Sequence, residues 1–282
     1  MRLAISNIAW DPVEDVAIAE LLRKYGVDAI DIAPGKYFPQ PQAATAADVT
    51  RVRDWWADQD IAITGMQALL FGTTGLNMFG TPDVQDAMLA HLDAVCRIGG
   101  GLVSASGAGP TRVVFGSPKN RDRSGLDDEQ TMATALSFFR RLGDSAAAHG
   151  VVVCLEPNPT CYGANFMTTS AATADVVRQV AHPAIRMQLD TGALTINGED
   201  PEAVLQDCAA LIGHVHASEE NLLPLGDGST DHARVLRALE QHLPSQLITI
   251  EMVATASEAH ADSIERALKV ATRAYLRKEI QP

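Results

Sequence analysis

The chain has 282 residues, 46% of them apolar, which is enough to bury the core of a large globular domain. Its 35 acidic and 22 basic residues leave a formal charge of −13, a balance that argues against a nucleic-acid binder with its basic face. No apolar run approaches the roughly 20 residues of a membrane-spanning helix, so no membrane partner is expected.

In chain order, a strand at Arg2–Ile5 precedes a helix at Pro12–Tyr25. The opening MRLAISNIAW reads as that first strand and not as a charged and apolar leader, which implies a cytoplasmic protein. A strand at Ala29–Ile32 leads through the loop APGKYFPQPQ to a helix at Ala47–Asp58, which carries Trp55 and Trp56 as packing or subunit-contact residues. A strand at Ala62–Met66 is followed by the long connection QALLFGTTGLNMFG and a helix at Pro82–Ile98. The stretch GGGLVSASGAGP comes after that helix and before a strand, the wrong side for a phosphate cradle; it reads as a flexible loop on the bottom face. A strand at Arg112–Phe115 ends in the turn GSPKNR and leads to a helix at Asp128–His149. Further strand-and-helix pairs are Val151–Leu155 with Ala171–Val180, Ile185–Leu189 with Pro201–Ala210, Ile212–Val215 with His232–His242, and Leu247–Ile250 with Ser257–Arg277. Eight strand-then-helix units in one chain of this length fit a closed (β/α)8 TIM barrel, an α/β fold, spanning residues 1–282 as a single domain. The rival doubly wound fold lacks its marker, because SNIAWDP and not GxGxxG follows the first strand. The four cysteines, Cys96, Cys154, Cys161 and Cys208, have no CxxC spacing and read as buried free thiols.

Four apolar runs each close on an acid or an imidazole. VVVCLEP carries Glu156, IRMQLDTG carries Asp190, IGHVHAS carries His216 and LITIEM carries Glu251, at intervals of 34, 26 and 35 residues. Each interval is about one strand, one helix and their loops, so all four fall at successive strand ends facing the crevice of the barrel. Strand alternation puts Glu156 on the face of Cys154 and Val152, Asp190 with Gln188, His216 with His214, and Glu251 with Thr249. Three carboxylates and one imidazole without a thiolate suit one divalent metal ion, Mn, Mg, Co or Zn. A metal polarising a substrate carbonyl would acidify the adjacent C–H, and Glu156 and Glu251 stand on strands far enough apart to reach it from two sides.

The segments LEPNP, QLDTG, HVHASE and ITIEM, with FGSPKNR and MQALLFG, resemble the sugar phosphate isomerase/epimerase group of xylose isomerase-like TIM barrels. The resemblance runs from SNIAW to the final helix. It implies that Glu156, Asp190, His216 and Glu251 hold one divalent metal, that Glu156 and Glu251 also move protons, and that an enediolate forms. Two positions depart from the ketose 3-epimerases of that group: the histidine expected three residues after Asp190 is Ala193, and the arginine expected six residues after His216 is Leu222. Both contact substrate in those enzymes, so the departures point to a substrate other than a free ketose. The nuclease branch needs further histidines that this chain does not offer.

Asn7 and Gln67 end strands and are expected to bind sugar hydroxyls, with Asn158, Glu219 and His232 also lining the pocket. Lys36 and the run Lys119–Asn120–Arg121 are expected on the top face as contacts for an anionic substrate group. Trp10 and Phe71 are candidate apolar walls. The expected function is a metal-dependent sugar isomerase or epimerase acting on a keto-sugar or related polyol derivative. A metal-dependent lyase or dehydratase on a keto-inositol or keto-sugar begins with the same proton abstraction and stays open, as does a non-catalytic carbohydrate-binding barrel. A homodimer or homotetramer is compatible with loops such as PGKYFPQPQ.

Overall fold

The structure is a computed structural model and describes residues 1–102 and 109–276. Eight parallel strands close into one barrel in sequence order: β1 Arg2–Ser6, β2 Ala29–Ile32, β3 Ala62–Met66, β4 Arg112–Phe115, β5 Val152–Leu155, β6 Ile185–Asp190, β7 Ile212–Ser218 and β8 Leu247–Glu251. β1 and β8 seal the ring, with Arg2 opposite Leu247 and Ile5 opposite Ile250. The strands are short apolar runs because both faces are covered, one by the barrel interior and one by helices. Those helices are α1 Asp15–Tyr25, α2 Pro34–Tyr37, α3 Ala46–Ala57, α4 Pro82–Leu102, α5 Asp128–Ala148, α6 Ser170–Val180, α7 Thr191–Asn197, α8 Pro201–Cys208, α9 His232–His242 and α10 His260–Tyr275. None of the described helices is long and apolar enough to cross a membrane.

Local chemistry sets the helix ends. Thr45 and Asp48 form a capping box on α3, and Asp127 and Gln130 form one on α5. Helix α1 stops at Gly26, whose φ of 67° is the left-handed turn that glycine takes without steric cost. Two short helices, α2 and α7, fall where the sequence reads as loop. Pro34 opens α2 at a position where its missing N–H costs nothing, and Asp190 caps α7 by accepting from the Ala193 N–H at 2.6 Å.

Two expectations are corrected. Gly99, Gly100 and Gly101 are not loop but the last turn of α4, and their lack of side chains sets how closely that helix packs. A Cβ at Gly99 would lie 2.8 Å from Met66 Cε, one at Gly101 would lie 2.8 Å from Val49 Cγ1, and one at Gly100 would run into the His149 carbonyl. Residues 103–108 of the expected loop, and Arg277 of the expected last helix, lie outside the described residues. The cysteines are free, but only Cys96, Cys154 and Cys208 are buried, while Cys161 is exposed on the turn after β5. Trp56 packs edge-on to Trp10 at 6.4 Å inside the core, and the partly buried Trp55 meets it edge to face at 4.8 Å.

Two register irregularities aim side chains inward. Ile30 pairs with Ile63 but Asp31 with Gly65, so Thr64 is the extra residue. Met187 pairs with Ile212 but Gln188 with His214, so Gly213 is the extra residue. The second shift places Gln188 opposite His214 and Asp190 opposite His216.

Replacing Gly100 by Ala sets a helix-propensity gain of about 1 kcal/mol against an overpacking cost of ~1–3 kcal/mol. Because the atom in the way is backbone and cannot rotate aside, thermal unfolding is expected to show a net loss of about 1 kcal/mol for Gly100→Ala.

Candidate metal centre

Glu156 is the residue after β5, and its N–H donates to Phe115 O at 3.1 Å, which keeps it in strand direction beyond the last rung. Asp190 and Glu251 are the last residues of β6 and β8, and His216 lies two residues inside the end of β7. One potential ligand atom from each of the four lies within 4.8 Å of the others. His216 is fully buried, with Nδ1 3.4 Å from Glu156 Oε1 and 3.3 Å from Glu251 Oε2. Asp190 Oδ2 accepts from Ser218 Oγ at 2.6 Å, and Glu251 Oε1 accepts from Gln67 Nε2 at 2.6 Å. Asn158 Nδ2 donates to Glu156 Oε2 at 3.1 Å and to Gly116 O at 2.9 Å.

Three carboxylates this close and this dry cannot all stay ionised without a compensating charge. Burial, then the charges of Glu251 and Glu156, push the Asp190 carboxyl up to about 8. Burial disfavours imidazolium at His216, but Glu251 and Glu156 outweigh it and hold that pKa well above the usual histidine value. Burial likewise raises Glu251, yet His216 and the hydrogen bond from Gln67 bring it below the ordinary glutamate range. Glu156 Oε1 is buried without a hydrogen-bond partner. An orphaned carboxylate oxygen beside two more carboxylates and an imidazole is a donor set that fits one divalent cation.

Beneath this cluster the barrel interior is polar, where the common filling is Val, Ile and Leu. His214 Nε2 lies 2.9 Å from Asp31 Oδ2, and both side chains are buried. Thr64 Oγ1 donates to Asp31 Oδ1 at 3.0 Å, and Thr249 Oγ1 lies 3.3 Å from His214 Nε2. The Gln188 amide spans the two imidazoles, 3.0 Å from His214 Nδ1 and 3.2 Å from His216 Nδ1. Asp31 has room because its register partner is Gly65, where any Cβ would overlap the carboxylate. Burial raises the Asp31 carboxyl, but the neighbouring His214 outweighs that and holds it below the ordinary range.

The cluster opens into a cavity of about 1440 Å³ lined by loops that follow the strands, among them Gln67, Lys36, Asn158 and Glu219. Lys36 Nζ donates to the Trp10 carbonyl and stands 3.6 Å from Asp11 Oδ1. Five of the residues expected around a ligand are placed elsewhere. Asn7 is buried, and its Oδ1 accepts from Ala33 N at 2.6 Å, tying the end of β1 to the loop after β2. Asn120 is buried between Ser117 Oγ at 2.5 Å and Leu76 O at 2.7 Å. His232 bridges Tyr275 Oη at 2.7 Å and Glu219 Oε1 at 3.0 Å, one step behind the cavity wall. Arg121 is no surface cation: it is fully buried and donates to the Glu156 carbonyl at 2.7 Å, while Lys119 does line the cavity. Phe71 lines it too, whereas Trp10 is buried in the core with its indole N–H on Asp15 at 2.8 Å. Sequence reasoning passed over Asp31 and Ser218. A charge inside the strand AIDI was the available signal for Asp31; nothing local marks Ser218.

Residues 19–274 match the family model of the xylose isomerase-like TIM barrel. The chain belongs to that family. Among curated protein sequences none matches it. Several solved structures share the xylose isomerase-like architecture. D-psicose 3-epimerase from Clostridium cellulolyticum H10 superposes with a TM-score of 0.79 at 17% identity, over 97% of this chain and 99% of that one. The IolI protein with a bound zinc atom gives 0.75 at 16% identity over 100% of both chains. A probable 3-DHS dehydratase from Bacillus anthracis gives 0.72 at 14% identity, over 96% of this chain and 99% of that one. At these identities the likeness is one of fold.

Glu219 supplies a test of the wall behind the site. Burial raises its pKa, but hydrogen bonds from His232, Gly226 and Thr230 outweigh this and bring it to about 2. A depressed carboxylate stabilises the fold above its unfolded value, and that stability is lost as pH falls toward the folded value. Acid unfolding is therefore expected to show a loss of stability between the ordinary 4.5 and about 2 that is missing from Glu219→Gln.

Proposed function

We propose that this chain, as one domain spanning residues 1–282, is a divalent-metal-dependent isomerase or epimerase. Its substrate is a keto-sugar or a related polyol derivative. The observation that carries the reading is the convergence of Glu156, Asp190, His216 and Glu251, with a buried oxygen on Glu156 that accepts no hydrogen bond, at the mouth of an open cavity. The zinc atom in the similar IolI structure and the epimerase activity in the name of the similar D-psicose 3-epimerase support it. All four side chains would hold the ion, which is Mn, Mg, Co or Zn by donor type. When bound, such an ion polarises a substrate carbonyl and acidifies the C–H beside it.

The remaining chemistry belongs to the chain. Glu156 and Glu251 stand on β5 and β8, which are not neighbours in the ring, so they approach a bound substrate from different sides. One removes the proton and the other returns one, on the opposite face for an epimerase or at the adjacent carbon for an isomerase, through an enediolate. Gln67 holds the Glu251 carboxylate and Asn158 that of Glu156, which fixes each base in one orientation. Lys36, Asn158, Gln67 and Glu219 are among the polar residues lining the cavity and would meet substrate hydroxyls. A second reading, a metal-dependent dehydratase, is favoured by the likeness to the probable 3-DHS dehydratase: the same proton removal can be followed by loss of a β-hydroxyl.

Elemental mass spectrometry of the purified, reconstituted protein is expected to find about one divalent ion per chain, lost in Glu156→Gln/Glu251→Gln. Solvent deuterium is expected to enter the substrate beside its carbonyl, with the rate falling by roughly 10²–10⁴ in the folded Glu251→Gln variant. No ion in either protein sinks the metal reading, and undiminished exchange in the variant sinks the base assignment. A product lighter by one water selects the dehydratase.

A further inference from the structure

The cavity is larger and more apolar than a monosaccharide requires. Its volume of about 1440 Å³ exceeds the ~300–1,000 Å³ that usually encloses a ligand of drug size. The two positions at which polar sugar contacts were expected, Ala193 and Leu222, both line it. The Ala193 methyl lies at the start of α7, beside the acidic cluster, since its N–H is held by Asp190. Leu222 presents an isobutyl group where a guanidinium would meet hydroxyls.

The distribution of exposed apolar side chains points the same way. Among the described residues the large exposed hydrophobics are Val13, Val16, Phe71, Tyr162, Leu223 and Val253. Phe71, Tyr162 and Val253 line this cavity, and Leu223 follows the lining residue Leu222. Phe71 is 87% exposed and belongs to this group of exposed apolar side chains around the cavity. Leu222, Val253 and Tyr162 line one side together, tied by hydrogen bonds: Val253 N donates to Leu222 O at 3.0 Å, and Asn221 N donates to Tyr162 Oη at 2.7 Å.

The backbone holds this wall under strain. Asn221 and Leu222 have φ of 57° and 54°, the left-handed region that asparagine tolerates and that a bulky apolar residue such as leucine rarely adopts. Such conformations persist where surrounding contacts impose them and where a site uses them. The bonds from Val253 and to Tyr162 are those contacts.

We propose that the substrate carries an aromatic group on the end remote from the reacting carbonyl. The polyol end lies at the acidic cluster, and the aromatic group rests on the wall of Leu222, Val253 and Tyr162 with Phe71 at the rim. This rests on the sugar-binding reading above and adds to it the chemistry of the aglycone. An apolar wall favours such a ligand by removing its ring from water, and Tyr and Phe faces add stacking.

The test uses methyl and phenyl glycosides of glucose, galactose and mannose, titrated calorimetrically into the manganese-loaded full chain. Phenyl glycosides are expected to bind about tenfold tighter than their methyl counterparts. That preference is expected to fall to about twofold or less in Leu222→Arg and in Phe71→Ser. Phe71 is too exposed for its replacement to threaten the fold. Equal affinities for the two series, or no binding of either, overturns the proposal. So does light scattering that shows Phe71→Ser dissociating an oligomer, because the patch would then be a subunit contact. Manganese binding is followed in parallel by electron paramagnetic resonance. A bound ion without phenyl preference removes only this inference, whereas phenyl preference without a bound ion removes only the metal reading.

Discussion

Three carboxylates and one imidazole are gathered at the end of a barrel, largely out of water, and most of the surrounding structure can be understood as what that gathering requires. Like charges in a dry site raise one another's pKa, and a buried charge without a partner is among the most destabilising features a fold can carry. The chain answers with donors: Ser218 to Asp190, Gln67 to Glu251 and Asn158 to Glu156. His216 sits between two of the acids and shares their charge. What is left over, a raised Asp190 and an oxygen on Glu156 without a hydrogen bond, is the deficit that a divalent cation would fill.

The same constraint reaches down into the barrel. An interior of Val and Ile would leave the His216 ring held from above only. Gln188, His214, Asp31, Thr64 and Thr249 instead form a buried polar layer below it, in which Gln188, Asp31 and Thr249 meet His214 and Thr64 donates to Asp31. Such a layer is stabilising only when its members are matched, and two register shifts bring that about. The extra residue at Thr64 sets Asp31 against Gly65, and the extra residue at Gly213 sets His214 and His216 in step with Gln188 and Asp190. Gly65 is then required on steric grounds alone, since no side chain fits over the Asp31 carboxylate.

The upper wall shows how one scaffold separates chemistry from selectivity. The strand ends carry the charged groups and are rigid, paired on both sides in the barrel. The loops that follow carry Leu222, Val253, Tyr162 and Phe71, and Ala68, Asn221 and Leu222 in these loops take positive φ. Changing those loops alters what fits over the acids without moving the acids.

The sequence by itself determined the eight-unit barrel and the four strand-end side chains, because both are written in local order: apolar runs of strand length, helical stretches between them, and a charge closing each run. It also marked Ala193 and Leu222 as departures worth following. Tertiary structure alone decided which neighbours stand behind the site. Arg121 looks like a loop cation but is buried under the Glu156 carbonyl, and His232 looks like a pocket residue but braces Glu219 from behind. Asn7 and Asn120 look free to bind a ligand, but each is tied to a backbone group of another loop, Asn7 by its Oδ1 and Asn120 by its Nδ2. Gly99–Gly101 read as a flexible loop but end a helix, because the space they leave is filled by His149, Met66 and Val49. In each case the deciding partner is distant in the chain, and a linear pattern carries no information about which distant groups will meet. Register shifts add to this, since one extra residue in a strand reverses which side chains face inward, and its only trace in the sequence is a small residue such as Gly213.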